Sequence, residues 1–176
     1  MFERILVVCV GNICRSPVGE KLLQKYFPQK SIASAGIASE RSHLVGKSAD
    51  AMMIHVAQSH GLDISSHRSQ QLTQELCKQA DLILVMEKGH IEQVQQISPE
   101  SMGKVMLFGH WLDNHKDIPD PYRQSQEMFE YAWEEQYMGE TKTLDVHISN
   151  IRKKIKAVTD KEYIETVWGI GYRLHP

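Results

Sequence analysis

Hydrophobic and polar residues follow one another along the chain in blocks that predict strands and helices in turn. A continuous apolar run over 5–10, which stops at Gly11, is typical of a strand buried on both faces. Ser16 and Pro17 then predict a helix start, because serine suits the N-cap and proline the first helical position, and the helix is expected to stop at Pro28. By similar reasoning, further strands are predicted over 31–36, 82–86 and 105–108, further helices over 49–60, 73–80 and 89–97, and a polar loop over 113–122.

The order of these elements predicts the fold class. Strands that alternate with helices favour an α/β fold, here a four-stranded parallel sheet with helices on both faces. In such sheets ligands bind beyond the carboxyl ends of the strands, and residues 11–15 would lie there. We therefore expect the functional site at the end of the first strand.

The pattern changes towards the C-terminus. Residues 133–142 are polar and contain glycine, 143–158 have the spacing of an amphipathic basic helix, and 163–174 are typical of a hairpin. We therefore predict two parts, a domain over 1–132 and an atypical appendage of helix plus hairpin over 133–176.

The composition limits the class of protein. With 176 residues, 41% of them hydrophobic and 24% charged, the chain can form one globular core and a short appendage. A formal net charge of -2 gives no overall attraction to nucleic acid or to an anionic membrane, so any anion site must be local. Three cysteines without regular spacing do not make a disulfide framework, and no apolar stretch approaches the ~20 residues that span a bilayer. We expect no membrane insertion and a reducing, cytoplasmic location.

One cysteine and one arginine stand in a context that indicates chemistry. Cys9 lies in the first predicted strand, and five residues separate it from Arg15. The spacing alone is weak evidence, because a buried strand cysteine and a surface arginine would also produce it. Gly11 and Asn12, however, permit the left-handed backbone of a tight loop, and a helix is predicted to begin directly after Arg15. Such a loop points successive N–H groups inward and forms an anion site sized for a phosphate dianion.

The residue types of this loop predict phosphate transfer. The planar guanidinium of Arg15 can hold two phosphate oxygens at once, which a lysine would do less well. The same field favours the thiolate form of Cys9, which can attack phosphorus to give a cysteinyl-phosphate. The leaving group then needs a proton, and the carboxylic acid that supplies it can afterwards activate the water that hydrolyses the intermediate. This two-step route needs no metal.

Asp120 is the predicted proton donor. It stands between two prolines that stiffen a loop after the last predicted strand, and this loop can reach the same edge of the sheet. On spacing alone Asp113 and Asp117 compete with it, and an ordinary turn aspartate is a further alternative.

The other cysteines and the histidines receive no catalytic role. Cys14 either forms a reversible disulfide with Cys9 under oxidation or is a passive small side chain on the loop, and Cys77 is expected in the core. The nine histidines lack metal-ligand spacing, so we assign no metal, and His67 and His90 are expected to be surface or packing residues. The G-I-G near the C-terminus lacks the third glycine of a dinucleotide site, so we predict no cofactor.

Several stretches resemble a known family. The bacterial low-molecular-weight protein tyrosine phosphatases are similar over about 1–132, through C-V-G-N-I-C-R-S-P at 9–17, S-A-G at 34–36 and D-P-Y at 120–122. Within that family, M-E-K-G-H-I-E and K-V-M-L-F-G-H-W resemble the enzymes that partner tyrosine autokinases in capsule and exopolysaccharide export. The resemblance implies a Rossmann-like three-layer fold, hydrolysis of phosphotyrosine through a cysteinyl-phosphate, and a phosphotyrosine protein as substrate, such as a bacterial tyrosine kinase.

The resemblance also implies roles for individual residues. Cys9, Arg15 and Asp120 are the predicted catalytic residues. Asn12 is expected to support the loop, and Ser16 to hydrogen-bond the thiolate. The predicted substrate-binding residues are Val10, Gly11, Asn12, Ile13, Cys14 and Ser16 on the loop and Tyr122, which would line the entrance against the substrate ring.

Two relatives with other chemistry are alternatives. The phosphoarginine phosphatases of this family carry threonine where this chain has Ile13, and isoleucine favours phosphotyrosine. Thioredoxin-linked arsenate reductases share the loop but need an additional cysteine pair, whereas only Cys14 and Cys77 remain here. We therefore predict a phosphatase rather than an arsenate reductase.

The C-terminal segment resembles a different family. Residues 139–155 and 164–174 are similar to the recognition helix and wing that end an OmpR/PhoB-type response-regulator winged-helix domain. Between 142 and 156, five basic residues and one acidic residue would suit phosphate contacts in a DNA groove. A DNA-binding fusion protein is therefore an alternative function. The segment lacks the first elements of such domains and is short, so we expect no independent DNA-binding domain.

Overall fold

A computed structural model describes residues 2–111 and 117–136, together with two short strands at 164–167 and 171–174. The chain forms two compact units, Met1–Tyr137 and Met138–Pro176. In the described part of the chain, no helix is both long and apolar enough to cross a membrane.

A parallel sheet forms the centre of the first unit, as predicted. Its strands are β1 (Arg4–Cys9), β2 (Ser31–Gly36), β3 (Leu82–Val85) and β4 (Val105–Leu107), in the order β2-β1-β3-β4 with every pair parallel. The first strand was predicted over 5–10 and lies one residue earlier, so that it ends on the cysteine. Since helices pack on both faces of the sheet, β1 is buried on both faces, which is why it has no alternation of polar residues.

Helices cover both faces of this sheet, which confirms the predicted α/β class. They are α1 (Arg15–Tyr26), α2 (Ala51–Ser59), α3 (Gln74–Gln79), α4 (Lys88–Ile97) and α5 (126–136), with 3-10 turns at Pro99–Lys104 and Phe108–Trp111. Successive side chains of β1 point to opposite faces. Leu6 lies in a hydrophobic cluster with Val94 of α4, whereas Val7 lies in a second cluster with Leu23 of α1.

The start of α1 differs from the prediction. Ser16 was expected to cap this helix, but the N-cap residue is Cys14, and no side chain caps the N-terminus. The Ser16 hydroxyl lies 3.0 Å from Cys9 Sγ instead. The oxygen that was expected to cap the helix therefore makes a tertiary contact. At α2 and α3 the local rule holds, because Asp50 and Thr73 accept hydrogen bonds from the first turns.

The glycine of the S-A-G motif permits a close approach. A Cβ atom on Gly36 would lie 2.7 Å from the carbonyl oxygen of Val10 and 2.1 Å from Ser39 Oγ. Because a backbone carbonyl cannot move aside as a flexible side chain can, only glycine lets the end of β2 pack against the loop that follows β1.

The predicted division at residue 132 falls inside α5, which continues to 136. Ala132 and Trp133 are buried in one hydrophobic cluster with Val18 of α1, and the Trp133 ring stacks on His60 with 4.7 Å between centroids. The first compact unit therefore includes the whole of α5.

In the second unit, β5 (Ile164–Val167) and β6 (Gly171–Leu174) pair antiparallel, which confirms the predicted hairpin. The helix predicted over 143–158 lies outside the described residues.

Candidate active site

The loop over 9–15 joins the carboxyl end of β1 to the start of α1. The chain continues from β1 to β2 on one side and later returns to β3 on the other. Ligands bind at such a switch point of strand order, because the connections on either side of it lead to different neighbours and leave a crevice open. The structure therefore places the predicted site where the fold class requires it.

The carbonyl groups of this loop are held from outside. Because a trans peptide is planar, with its N–H opposite its carbonyl, each carbonyl that is bonded on the outside directs the next N–H inward. The donors are the backbone N–H groups of Ile37, Ala38 and Asp50, the ring nitrogen of His67, and the hydroxyls of Ser39 and Ser69. Inward N–H groups next to a helix N-terminus form a concave site for an anion.

Asn12 connects the loop to its surroundings. Its backbone is left-handed, with φ of 54°, as expected, whereas Gly11 does not need a positive φ. The Asn12 Nδ2 group donates to Ser16 Oγ at 2.8 Å and to Ser34 Oγ at 2.9 Å, and its Oδ1 accepts from the N–H of Gln70 at 2.9 Å. Asn12 is completely buried, so these contacts hold the loop in one conformation.

Gly11 has one close neighbour but no positive φ. A Cβ atom there would lie 2.8 Å from Leu44 Cδ1, the end of a flexible side chain that can move aside. Ile13, two residues later, is buried in the hydrophobic cluster that includes Val18 and Met53. The proposed selection of phosphotyrosine by Ile13 stays a prediction.

The Cys9 thiol faces two hydrogen-bonding groups. It is 2% exposed, and its sulfur accepts a hydrogen bond from the Asn12 N–H at 3.2 Å and lies 3.0 Å from Ser16 Oγ. When Cys9 is ionised it has no proton, so the Ser16 hydroxyl must be the donor. Both groups then donate to the sulfur.

Arg15 is a buried cation with several partners. Its side chain is 1% exposed, its Nη1 forms an ion pair with Glu87 and donates to the carbonyl of Ile118 at 2.8 Å, and its Nη2 lies 2.9 Å from Asp120 Oδ2. Within the described residues, Arg15 Nε is buried without a hydrogen-bond partner. Since buried donors are almost always paired, this group is available to a ligand oxygen.

The structure separates the competing aspartates. The Asp120 carboxylate is half-exposed beside Arg15, whereas Asp117 Oδ1 accepts a hydrogen bond from the N–H of Lys88 at the start of α4. Ile118, between them, is buried, and its N–H donates to the carbonyl of Met86 after β3. Asp113 lies outside the described residues. Of the two described candidates, only Asp120 reaches the site.

Tyr122 lies two residues beyond Asp120, and its N–H donates to Asp120 Oδ1 at 3.1 Å. Its side chain is exposed, and the guanidinium carbon of Arg123 lies 5.2 Å from the centroid of its ring. The ring therefore belongs to the same exposed loop as the predicted acid.

Cys14 differs chemically from Cys9. Burial raises the pKa of the Cys14 thiol, and the Asp50 carboxylate raises it further. The thiol therefore stays protonated at neutral pH and does not compete as a nucleophile. All three cysteines are free, and Cys77 is buried in the core, as predicted.

Two residues at the site, His67 and Glu87, were not predicted from the sequence to lie there. His67 was expected to be a surface or packing residue, but its Nε2 lies 2.8 Å from the carbonyl oxygen of Asn12. Because a carbonyl only accepts, Nε2 carries the proton. Burial lowers the pKa of His67 and favours this neutral form.

The position of Glu87 could have been predicted from the sequence. It directly follows the strand predicted over 82–86, and an acidic residue there lies at the end of the sheet where ligands bind.

Comparison with known proteins decides the family. The sequence model described as "Low molecular weight phosphotyrosine protein phosphatase" matches residues 4–157. The chain belongs to this family. The low molecular weight protein-tyrosine-phosphatase Wzb of Escherichia coli strain K12 is 55% identical over 129 residues, which are 73% of this chain and 84% of that protein.

Solved structures of this family are similar as well. Wzb of Vibrio vulnificus in complex with benzylphosphonate has a TM-score of 0.77 at 58% identity, covering 81% of this chain and 98% of that one. Wzb of Escherichia coli K30 in complex with sulphate has a TM-score of 0.76 at 47% identity, covering 83% of this chain and 99% of that one.

These matches support the predicted phosphatase over the arsenate reductase and the DNA-binding alternatives. The family match extends to residue 157 and so includes most of the helix predicted over 143–158. It lends no support to the winged-helix resemblance.

Proposed function

We propose that this protein-tyrosine phosphatase hydrolyses phosphotyrosine with Cys9 as nucleophile, Arg15 as phosphate clamp and Asp120 as proton donor. One observation supports this assignment, namely that the buried Cys9 sulfur accepts the Asn12 N–H in a loop whose carbonyls are bonded on the outside and which leads to the buried Arg15 at the start of α1. The sulphate and benzylphosphonate complexes of the related phosphatases agree with an anion site of this kind.

The first step transfers the phosphoryl group to the enzyme. The Cys9 thiolate attacks phosphorus, the bond between phosphorus and the tyrosyl oxygen breaks, and protonated Asp120 gives its proton to the departing oxygen. Arg15 and the loop N–H groups stabilise the phosphoryl oxygens as the charge shifts. The Arg15 guanidinium pairs with Asp120 in the structure. In this step its N–H groups donate both to the carboxyl group and to the bound phosphate.

The second step releases phosphate. The Asp120 carboxylate takes a proton from water, the water oxygen attacks phosphorus, and the bond between sulfur and phosphorus breaks to return the thiolate. The Ser16 hydroxyl, 3.0 Å from Cys9 Sγ, stabilises the departing sulfur anion.

The other predicted binding residues contribute backbone N–H groups or line the entrance to the site. Val10, Gly11, Ile13 and Cys14 contribute the N–H groups of the loop, while Asn12 holds it in shape through three side-chain hydrogen bonds. The exposed Tyr122 ring lines the entrance against the substrate ring, because it belongs to the loop that carries the acid.

The physiological substrate is proposed to be a bacterial tyrosine autokinase of polysaccharide export. This rests on the similarity to Wzb and on the sequence tracts shared with that group. We place the activity in the cytoplasm, because a thiolate nucleophile needs a reducing compartment and the three cysteines are free. We also propose that catalysis needs only the predicted domain over 1–132 together with the rest of α5.

The test is hydrolysis of p-nitrophenyl phosphate and a phosphotyrosyl peptide by the full chain in the presence of EDTA. Cys9→Ser is expected to abolish turnover. Cys77→Ser is the matched control, because it removes a buried thiol on α3 and should keep activity. Full turnover by Cys9→Ser would refute the mechanism, and faster hydrolysis of a phosphoarginine peptide would refute the substrate class.

A further inference from the structure

We propose that Ser39 and Ser69 together form a two-hydroxyl clasp on the Gly11 carbonyl, and that this clasp positions the Asn12 N–H on the nucleophile. The inference rests on the proposed function, since it assigns positioning residues to the same loop. Neither serine touches the reacting atoms.

The clasp is formed from two segments distant in sequence. Ser39 Oγ lies 3.0 Å and Ser69 Oγ 2.9 Å from the carbonyl oxygen of Gly11, and the two hydroxyls lie 3.0 Å from each other. Ser39 follows β2, and Gly36 leaves room for its hydroxyl, since a Cβ atom on Gly36 would lie 2.1 Å from Ser39 Oγ. Ser69 and Ser39 are 3% and 0% exposed, so both hydroxyls are shielded from bulk water.

The peptide that this clasp holds is the one that faces the sulfur. The Gly11 carbonyl and the Asn12 N–H belong to the same planar unit and point in opposite directions. The N–H donates to Cys9 Sγ at 3.2 Å. Without the two hydroxyls, nothing else among the described contacts holds this carbonyl outward, so the peptide plane is free to rotate its N–H away from the sulfur.

The other carbonyls of the loop are held differently. Backbone N–H groups hold those of Cys9, Val10 and Ile13. These donors are present whatever the side chain, whereas the donors to Gly11 depend on two particular residues. The Asn12 carbonyl is held by the His67 side chain. The clasp and His67 are therefore the parts of this outward support that side-chain substitutions can remove without changing the residues that touch phosphate.

Counting protons predicts redundancy. Two hydroxyl protons serve three oxygen-to-oxygen contacts, so at least one proton can always reach the Gly11 carbonyl. If one serine is replaced by alanine, the other can still donate to that oxygen. If both are replaced, a buried carbonyl loses its partners, which is far more costly than the loss of one of two bonds.

The experiment compares Ser39→Ala, Ser69→Ala and the double variant in the full chain. Each is measured for kcat/KM with p-nitrophenyl phosphate, for the inhibition constant of orthovanadate, and for Tm. The matched control is the double variant Ser98→Ala with Ser101→Ala, which removes another buried hydroxyl pair, 2.8 Å apart, beyond the end of α4. A purely structural effect lowers Tm in both double variants alike and leaves the other two readouts unchanged.

We expect each single variant to lose less than about threefold in kcat/KM, and the double variant to lose about 10- to 100-fold, more than the product of the singles. The vanadate constant should rise in parallel, while the Ser98 and Ser101 control keeps both constants. If the double alanine variant does not fold, the double variant Ser39→Ala with Ser69→Cys decides, because a thiol fills a similar space but is a weak donor, and its vanadate constant should rise above that of Ser39→Ala alone.

Strictly additive losses, or a double variant with unchanged kinetics and vanadate binding, would overturn the clasp. Equal vanadate binding by Ser39→Ala and by Ser39→Ala with Ser69→Cys would do the same in the fallback comparison. Failure of the proposed function is a separate outcome, because it would show as absent Cys9-dependent hydrolysis in the unaltered chain.

Discussion

The Asp120 carboxylate lies 2.9 Å from Arg15 Nη2, and the carbonyl of Ile118 in the same loop accepts a hydrogen bond from Arg15 Nη1 at 2.8 Å. One buried guanidinium thus connects the loop that carries the nucleophile to the loop that carries the predicted acid. Any substitution that moves Arg15 should therefore affect both the binding of phosphate and the placing of the proton donor.

Arg15→Lys is expected to reduce kcat/KM by about 10²- to 10³-fold, the loss typical of removing a transition-state donor. The ammonium of lysine is a point charge and cannot donate through a planar fork to two oxygens. Steady-state hydrolysis of an aryl phosphate measures this loss. Arg4→Lys is the control, since Arg4 starts β1 at the end remote from Cys9 and pairs with Asp81. Activity that survives at Arg15→Lys but falls at Arg4→Lys would contradict the clamp.

Asp120→Asn should slow hydrolysis most for poor leaving groups. Because asparagine cannot donate the proton, we expect losses of about 10²- to 10⁴-fold for phenyl phosphate and much smaller losses for p-nitrophenyl phosphate. Pre-steady-state measurements with both substrates isolate this step. Asp117→Asn keeps an oxygen that can accept from the Lys88 N–H at the start of α4, so its effect on hydrolysis should be small and should not depend on the leaving group. The reverse pattern between the two variants would assign the acid to Asp117.

Asn12→Gly and Asn12→Ala should separate conformation from hydrogen bonding. Both lose the side-chain bonds to Ser16, Ser34 and Gln70, but only alanine is also strained at φ of 54°. We expect Asn12→Ala to be less stable than Asn12→Gly by about 1–2 kcal/mol. Urea unfolding monitored by fluorescence compares them. Equal stabilities would mean that the loop relaxes out of the left-handed region.

Trp133→Ala should destabilise the first unit by about 3–5 kcal/mol, since it removes a buried aromatic side chain. The same unfolding assay measures it. Tyr131→Ala, on the exposed side of the same helix, should change stability by less than about 0.5 kcal/mol. An unaffected Trp133→Ala protein would show that the core ends before this residue, at the boundary first predicted from sequence.

Stability should fall as the pH is lowered from 7.5 to 5.5. Burial lowers the pKa of His67, and burial also lowers that of His90, so the unfolded chain takes up protons below about pH 6.5 that the folded chain does not. His67→Gln keeps a side-chain donor but has no titrating ring. The loss of stability between these pH values should therefore be smaller, and the part that comes from His90 should remain. Urea unfolding at both pH values measures it, with exposed His55→Gln as control. An identical loss in His67→Gln would exclude this residue as a source.

The strands and the loop over 9–15 could be predicted because their signals are local. A strand buried on both faces needs an unbroken apolar run, and a cradle at a helix N-terminus needs its nucleophile, its left-handed residue and its arginine within a few positions. Cys9, Asn12 and Arg15 were therefore recognised together. The prediction was wrong at Ser16. A serine hydroxyl next to a helix start can either cap the helix or contact a nearby sulfur, and neighbours in sequence do not decide between the two.

Residues that support the loop from a distance could not be predicted in this way. His67, Ser39 and Ser69 are common residue types in irregular segments, and nothing near them in sequence marks their contact with Asn12 or Gly11. Asp120 could be chosen over Asp117 only by its motif, because proline-rich loops offer several equivalent carboxylates.

The sequence by itself determined the order of strands and helices and the parallel sheet, and it predicted Cys9 and Arg15 as reacting groups, since these depend on periodicity and on neighbours along the chain. Only the tertiary structure decided which carboxylate reaches Arg15, which side chains hold the carbonyls of the loop outward, and that α5 continues past Ala132 into the core. Those outcomes depend on which distant segments the packing brings into contact, and hydrogen bonds act only over about 3 Å.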